Sequence, residues 1–168
     1  LLPHENFIAM IIVVMGVSGS GKTTIGEKLA QELGVQFHDA DHYHPKANVE
    51  KMASGVPLDD NDRLPWLQAL AGLLTIWEMQ GGAVLACSAL KESYRVRLQK
   101  EVGTVKWVYL SGSKEQLATR LNERKGHYFD PSLLDSQLDT LEEPEYGIHI
   151  DISQSPQQII DELKSIFK

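Results

Sequence analysis

The sequence predicts a layered α/β protein, a parallel sheet with helices on both faces. Two observations predict it. Short apolar, β-branched runs alternate along the chain with segments of helical periodicity, the pattern of successive βα units. Polar clusters follow the runs that end near Met15, Phe37, Cys87 and Leu110, so they converge on the carboxyl edge of such a sheet, where ligands bind. The size agrees: 168 residues, 42% apolar and 23% charged, suit one domain with a substantial core. No repeat, low-complexity tract or linker divides it.

The elements follow in order. "MIIVVM", residues 10–15, reads as a strand buried on both faces. "KTTIGEKLAQEL" carries Ile25, Leu29 and Leu33 at helical spacing and stops at Gly34. "VQFHDAD" is a second strand running into a polar loop. A long helix spans about residues 62–80, closed by Gly81 and Gly82. "AVLAC" is the third strand, "LKESYRVRLQKEV" a helix and "VKWVYL" the fourth strand. Ser113 caps the next helix, with Gln116 three positions on as in a capping box; that helix runs to about Arg124. Asp130-Pro131 opens another helix, "GIHID" is a weaker fifth strand, and Ser155-Pro156 opens the last helix. Residues 1–9 read as an N-terminal extension or cloning remnant, leaving a single domain over 10–168.

A formal charge of −7 and a pI near 5.3 argue against general affinity for nucleic acid or an anionic membrane surface. Any anionic ligand must be held by placed cations and main-chain N–H groups. The apolar stretch over residues 8–17 is too short to span a bilayer. The single cysteine, Cys87, forms no internal disulfide and fits packing at a strand end better than a nucleophile; a reducing cytoplasm is the expected setting.

The chemistry begins at Met15. Gly16-Val17-Ser18-Gly19-Ser20-Gly21-Lys22-Thr23 fits G-x-x-x-x-G-K-[ST] in full, between a strand and a helix as that phosphate-binding loop requires. Glycines let successive N–H groups turn inward onto phosphate oxygens, and the following helix adds its N-terminal partial charge. Lys22 would bridge the β- and γ-phosphates and the Thr23 hydroxyl would ligate Mg²⁺, with Thr24 completing the cradle. By chance the pattern arises in about one chain per hundred of this length. The segment therefore reads as a cradle for ATP.

Strand three ends in "AVLACSAL" without a carboxylate, and no "NKxD" segment occurs, so a regulatory GTPase is disfavoured. The acidic pair instead follows strand two, as Asp39 and Asp41 in "FHDADHYHP". A kinase acting on a hydroxyl needs a carboxylate to orient or accept its proton and cations to balance transferred charge. Asp41 suits the first task; Asp39 would hold Mg²⁺ through water. "TRLNERKGHYF" supplies Arg120 and Arg124 four apart on one helical face, one for the base and one for the γ-phosphate. Gly126 would let the segment over about 124–140 move as a lid.

The blocks "MGVSGSGKTT", "DADHYHPKANVEKMASGVPLDDNDRLPWL", "ACSALKESYR", "RLNERKGHYF" and "LDTLEEP" together resemble the gluconokinases of the small P-loop type. The resemblance runs from Met10 to the final helix. It implies a three-layer P-loop NTPase fold with a five-stranded parallel sheet of order 2-3-1-4-5 and a mobile lid. It further implies a homodimer and ATP-dependent phosphorylation of D-gluconate on its 6-hydroxyl. An acceptor of that kind, a polyol with one carboxylate, needs fixed polar groups and at least one cation. Arg63, Lys91 and Arg95 are the cations near strand-end loops, and Arg63 resembles the acid-binding arginine of shikimate kinases. Asp41, His44 and Ser88 can hydrogen-bond hydroxyls, though His44 fits a structural loop histidine equally well. Trp66 and Trp77 belong to helix packing; His127, in the lid, has no assigned role. The rival readings are a kinase of shikimate or another sugar acid, and a nucleotide-binding regulator without transfer activity.

Overall fold

The computed structural model describes residues 9–124 and 131–168. At its centre runs β1 (Met10–Met15), with five of its six side chains buried, as befits a β-branched run covered from both sides. On one flank β1 pairs in parallel with β3 (Gly82–Ala86), and β3 with β2 (Gln36–Asp39). On the other it pairs with β4 (Val105–Ser111), which pairs with β5 (Ile148–Asp151). The resulting order, β2-β3-β1-β4-β5, is the one the resemblance implies. Val14 lies in register with Ala86 and Val108. The chain crosses from β3 past β1 to β4, so strand order reverses at β1 and a crevice opens beyond its carboxyl end.

Helices cover the sheet in two layers. One layer holds α1 (Lys22–Leu33) against α7 (Pro156–Phe167); the other holds α3 (Asp60–Met79) against α4 (Glu92–Gln99). From α3, Trp66, Leu67, Leu70 and Leu74 are almost fully buried, and each such leucine contributes about 2 kcal/mol. The long helix begins at Asp60, earlier than the apolar spacing suggests, because Asp59 and Asp62 close a reciprocal capping box. At its far end Gln80 caps the helix and Gly82 already belongs to β3. α4 is shorter than its periodicity predicts, since Lys91 is extended and serves as the N-cap. α5 (Lys114–Asn122) carries the Ser113/Gln116 capping box expected of it.

Two elements lie where the sequence suggests only a polar loop: a 3₁₀ turn over Ala40–Tyr43 and α2 (Lys46–Ala53). Part of the expected lid, with His127, falls outside the described residues. Its remainder is α6 (Pro131–Thr140), whose Leu134 is buried in the core cluster.

Candidate active site

Residues 16–24 fill the crevice beyond β1. A Cβ at Gly16 would stand 2.7 Å from Ser20 Oγ and 3.0 Å from the Leu110 carbonyl, so only glycine permits that approach. Gly21, at φ 95°, is the left-handed N-cap that turns the loop into α1. The Ser20 hydroxyl is buried without a hydrogen-bond partner among the described residues; with the close-packed glycines it fits a loop completed by ligand oxygens. Lys22 Nζ donates to the Val17 carbonyl at 3.1 Å. Enclosure by protein holds its ammonium below the usual lysine range, against the opposing pull of Asp41 and Asp39.

Asp39 ends β2 and joins two functional segments. One carboxylate oxygen accepts the Thr23 hydroxyl at 3.1 Å, and the other accepts the Asp41 N–H at 2.9 Å, capping the 3₁₀ turn. That turn presents Asp41 to the crevice. A cavity of about 110 Å³ is lined here by the phosphate loop together with Asp39, Asp41, Cys87 and Arg124. Arg120 lies alongside Gly21, its Nη1 3.6 Å from where a Cβ would be, while its Nη2 donates to the Ile152 carbonyl. Burial pushes the Cys87 thiol up to about 12, which suits packing and not nucleophilic attack.

A second cavity, of about 240 Å³, adjoins the first and shares Ser18, Lys22 and Asp41 with it. Its size suits a small molecule. His44, Arg63, Trp66, Ser88 and Gln137 line it further. Trp66 stacks on His44 with ring centroids 4.1 Å apart and donates its indole N–H to the Ala40 carbonyl at 2.8 Å, so it both packs and walls the site. Asn48 fixes the histidine: its Nδ2 donates to the Asp62 carbonyl at 2.8 Å and to His44 Nδ1 at 3.2 Å. The imidazole proton therefore sits on Nε2, 3.9 Å from Asp41 Oδ1. Burial holds His44 below its ordinary value, Asp41 opposing and Arg63 reinforcing. His44 is thus an ordered donor beside Asp41, structural and site-facing at once.

Two predicted acceptor ligands are placed elsewhere. Arg95 is 1% exposed, and its guanidinium donates to the carbonyls of Ala89 and Glu142 at 2.7 and 2.8 Å and to Glu92 and Tyr146 at 3.1 and 3.0 Å. With its donors so engaged it fastens the Ser88–Leu90 loop and lines neither cavity. Lys91 is likewise turned away, bound to Asp60 at 3.0 Å. Conversely, α6 brings Gln137 to the cavity, a residue the sequence does not mark. Its Oε1 accepts the Ser18 N–H and its Nε2 donates to Ser18 Oγ, both at 2.8 Å, across a separation of 119 residues that no local pattern discloses.

The family model for shikimate kinase matches residues 18–164. The chain is 47% identical to a gluconokinase of Gluconobacter oxydans (strain 621H), with 95% of this chain and 94% of the relative covered. It is 44% identical to the thermoresistant gluconokinase of Escherichia coli (strain K12), with 80% and 77% covered. The crystal structure of a gluconokinase from Sinorhizobium meliloti 1021 superposes with a TM-score of 0.85 at 42% identity, covering 92% of this chain and 89% of the other. With a phosphate-binding loop opening onto a small cavity of mixed polar and apolar lining, and with this degree of likeness along nearly its whole length, the chain belongs to the gluconokinase family.

Proposed function

We propose that the protein transfers the γ-phosphoryl group of ATP to the 6-hydroxyl of D-gluconate, giving 6-phospho-D-gluconate and ADP. One observation carries the reading: the phosphate cradle and the neighbouring cavity of about 240 Å³ share Lys22 and Asp41 at their junction. In-line transfer needs donor phosphate and acceptor oxygen to meet at such a point.

Each residue then has a task. Main-chain amides of residues 16–24 and the start of α1 hold the phosphates, and Arg120 lies on the base side. Asp41 orients the acceptor hydroxyl and takes its proton late, with His44 Nε2–H and Ser88 fixing neighbouring hydroxyls. Lys22 and Arg124 stabilise charge on the transferring group. Arg63 meets the acceptor carboxylate. Thr23 and Asp39, 3.1 Å apart, fit the sparse protein ligation that Mg²⁺ takes when phosphates supply the rest. When bound, that ion neutralises phosphate charge. Homodimer assembly and a cytoplasmic setting belong to the same reading; the one buried thiol supports the second, and sedimentation tests the first.

A coupled ADP-release assay across sugar acids and shikimate tests the substrate. The expected result is a kcat/KM for gluconate well above the others. Preference for shikimate would favour the reading suggested by the family model.

A further inference from the structure

Arg63 is fixed at one corner and open at the other. Its Nη1 donates to the Leu58 carbonyl at 2.6 Å and to the Tyr94 hydroxyl oxygen at 3.2 Å. Its Cζ lies 5.4 Å from the Tyr94 ring centroid, within reach of the ring's quadrupole. Among the described residues no hydrogen bond engages Nε or Nη2, the edge of a guanidinium that takes a carboxylate side-on with two parallel bonds. The same side chain lines the acceptor cavity.

Behind it stands a chain of three groups. The Tyr94 hydroxyl accepts from Arg63 and donates to Asp60 Oδ1. Lys91 Nζ reaches both Asp60 oxygens, at 3.0 and 3.2 Å. Asp60 and Arg63 start α3, whereas Lys91 and Tyr94 start α4, so the network ties the two helices at the cavity rim. Had Asp60 paired directly with Arg63, it would compete with an incoming carboxylate for the same charge. Instead a neutral hydroxyl is interposed and Lys91 neutralises Asp60. The titration directions agree: bonds from Tyr94 and Lys91 hold the Asp60 carboxyl below its usual range, and burial together with Asp60 holds the Tyr94 phenol up.

We propose that Tyr94, Asp60 and Lys91 are positioning residues that set specificity for an acidic acceptor, Tyr94 by holding the Arg63 guanidinium edge toward the cavity and Lys91 by cancelling the Asp60 charge so that Arg63 keeps its own. The inference rests on the reading that Arg63 meets the acceptor carboxylate. It reassigns Lys91 from a ligand to a neutraliser and gives Tyr94 a task that its buried ring alone does not disclose.

The test is steady-state kinetics with gluconate and MgATP on the full chain. Tyr94→Phe keeps the ring and removes the hydroxyl; KM for gluconate should rise about tenfold, the scale of one hydrogen bond to a charged group. Both kcat and KM for ATP should stay within about twofold, the latter showing that the fold and cradle persist. Lys91→Met should raise KM for gluconate about threefold, modest because the pair is part-exposed. The double variant Asp60→Asn/Lys91→Met should bring it back toward the wild-type value, since the uncompensated charge has gone. A merely structural role would predict a further loss there. An unchanged KM in Tyr94→Phe, or a double variant worse than Lys91→Met alone, overturns the inference while leaving Arg63 as the acid ligand, provided that Arg63→Gln still raises KM. An unchanged KM in Arg63→Gln overturns the carboxylate reading itself, and the positioning role falls with it.

Discussion

Asp41 occupies the point where the two cavities meet, on a turn capped through its own N–H by the carboxylate of Asp39. Asp39 accepts from the Asp41 N–H and from the Thr23 hydroxyl, so one residue ties the turn that carries Asp41 to the phosphate loop. Asp41→Asn removes the proposed proton acceptor and leaves that scaffold intact. Turnover should fall by about 10²–10⁴, the usual range for one positioned base, whereas ATP affinity, read by titration calorimetry, should move by less than about threefold. Parallel losses in both would place Asp41 in nucleotide binding instead. At this scale the sequence discloses residue types but not their directions. Arg63 and Arg95 look alike as cations following strand ends, yet one reaches the cavity and the other is walled in by two carbonyls, a carboxylate and a phenol. Local spacing does not separate them, because two of the four partners of Arg95, Glu142 and Tyr146, lie about fifty residues along the chain.

Among elements, legibility followed the strength of the apolar pattern. β1 is readable because every position after Met10 is buried and apolar, and α1 because its buried face repeats at helical spacing. α2 is not readable: its only buried residue is the polar Asn48, while Val49 and Met52 are exposed. It carries no stripe for periodicity to reveal, and its task is to deliver Asn48 to His44. The loop between β3 and α4 shows the same dependence on distant partners. It holds Ala89 at φ 46°, a left-handed backbone that a side chain disfavours, pinned by the Arg95 guanidinium on its carbonyl. Arg95→Met strands the Ala89 and Glu142 carbonyls. Urea unfolding should show a loss of about 3 kcal/mol, the cost of leaving buried acceptors and their charged network unpaired. A variant as stable as the wild type, with only a raised KM for gluconate, would restore Arg95 to the role of ligand.

The whole molecule carries seven net negative charges at neutral pH and yet, for the proposed reaction, must gather a polyanion and a sugar acid at one sheet edge. It does so by concentrating Lys22, Arg63, Arg120 and Arg124 around the crevice that strand order creates. Stability of the whole should be limited on the acid side by histidine. Burial depresses His38, stacked on Trp77 at 3.8 Å, and His44, stacked on Trp66. Unfolded chains bind protons at both below 6.5, the ordinary value, before the folded protein does, so stability falls as pH drops through that window. The melting temperature should therefore decline from about pH 7 to about pH 5, and His44→Gln should flatten the decline in part. A flat profile would mean that neither ring is neutral because of burial. The chemistry itself is tested most directly by phosphorus NMR of the wild-type protein with MgATP and gluconate. The expected result is a phosphomonoester on the sugar acid's C6, growing in step with ADP. ADP accompanied only by inorganic phosphate, or no consumption of ATP at all, would contradict transfer between the two adjoining cavities.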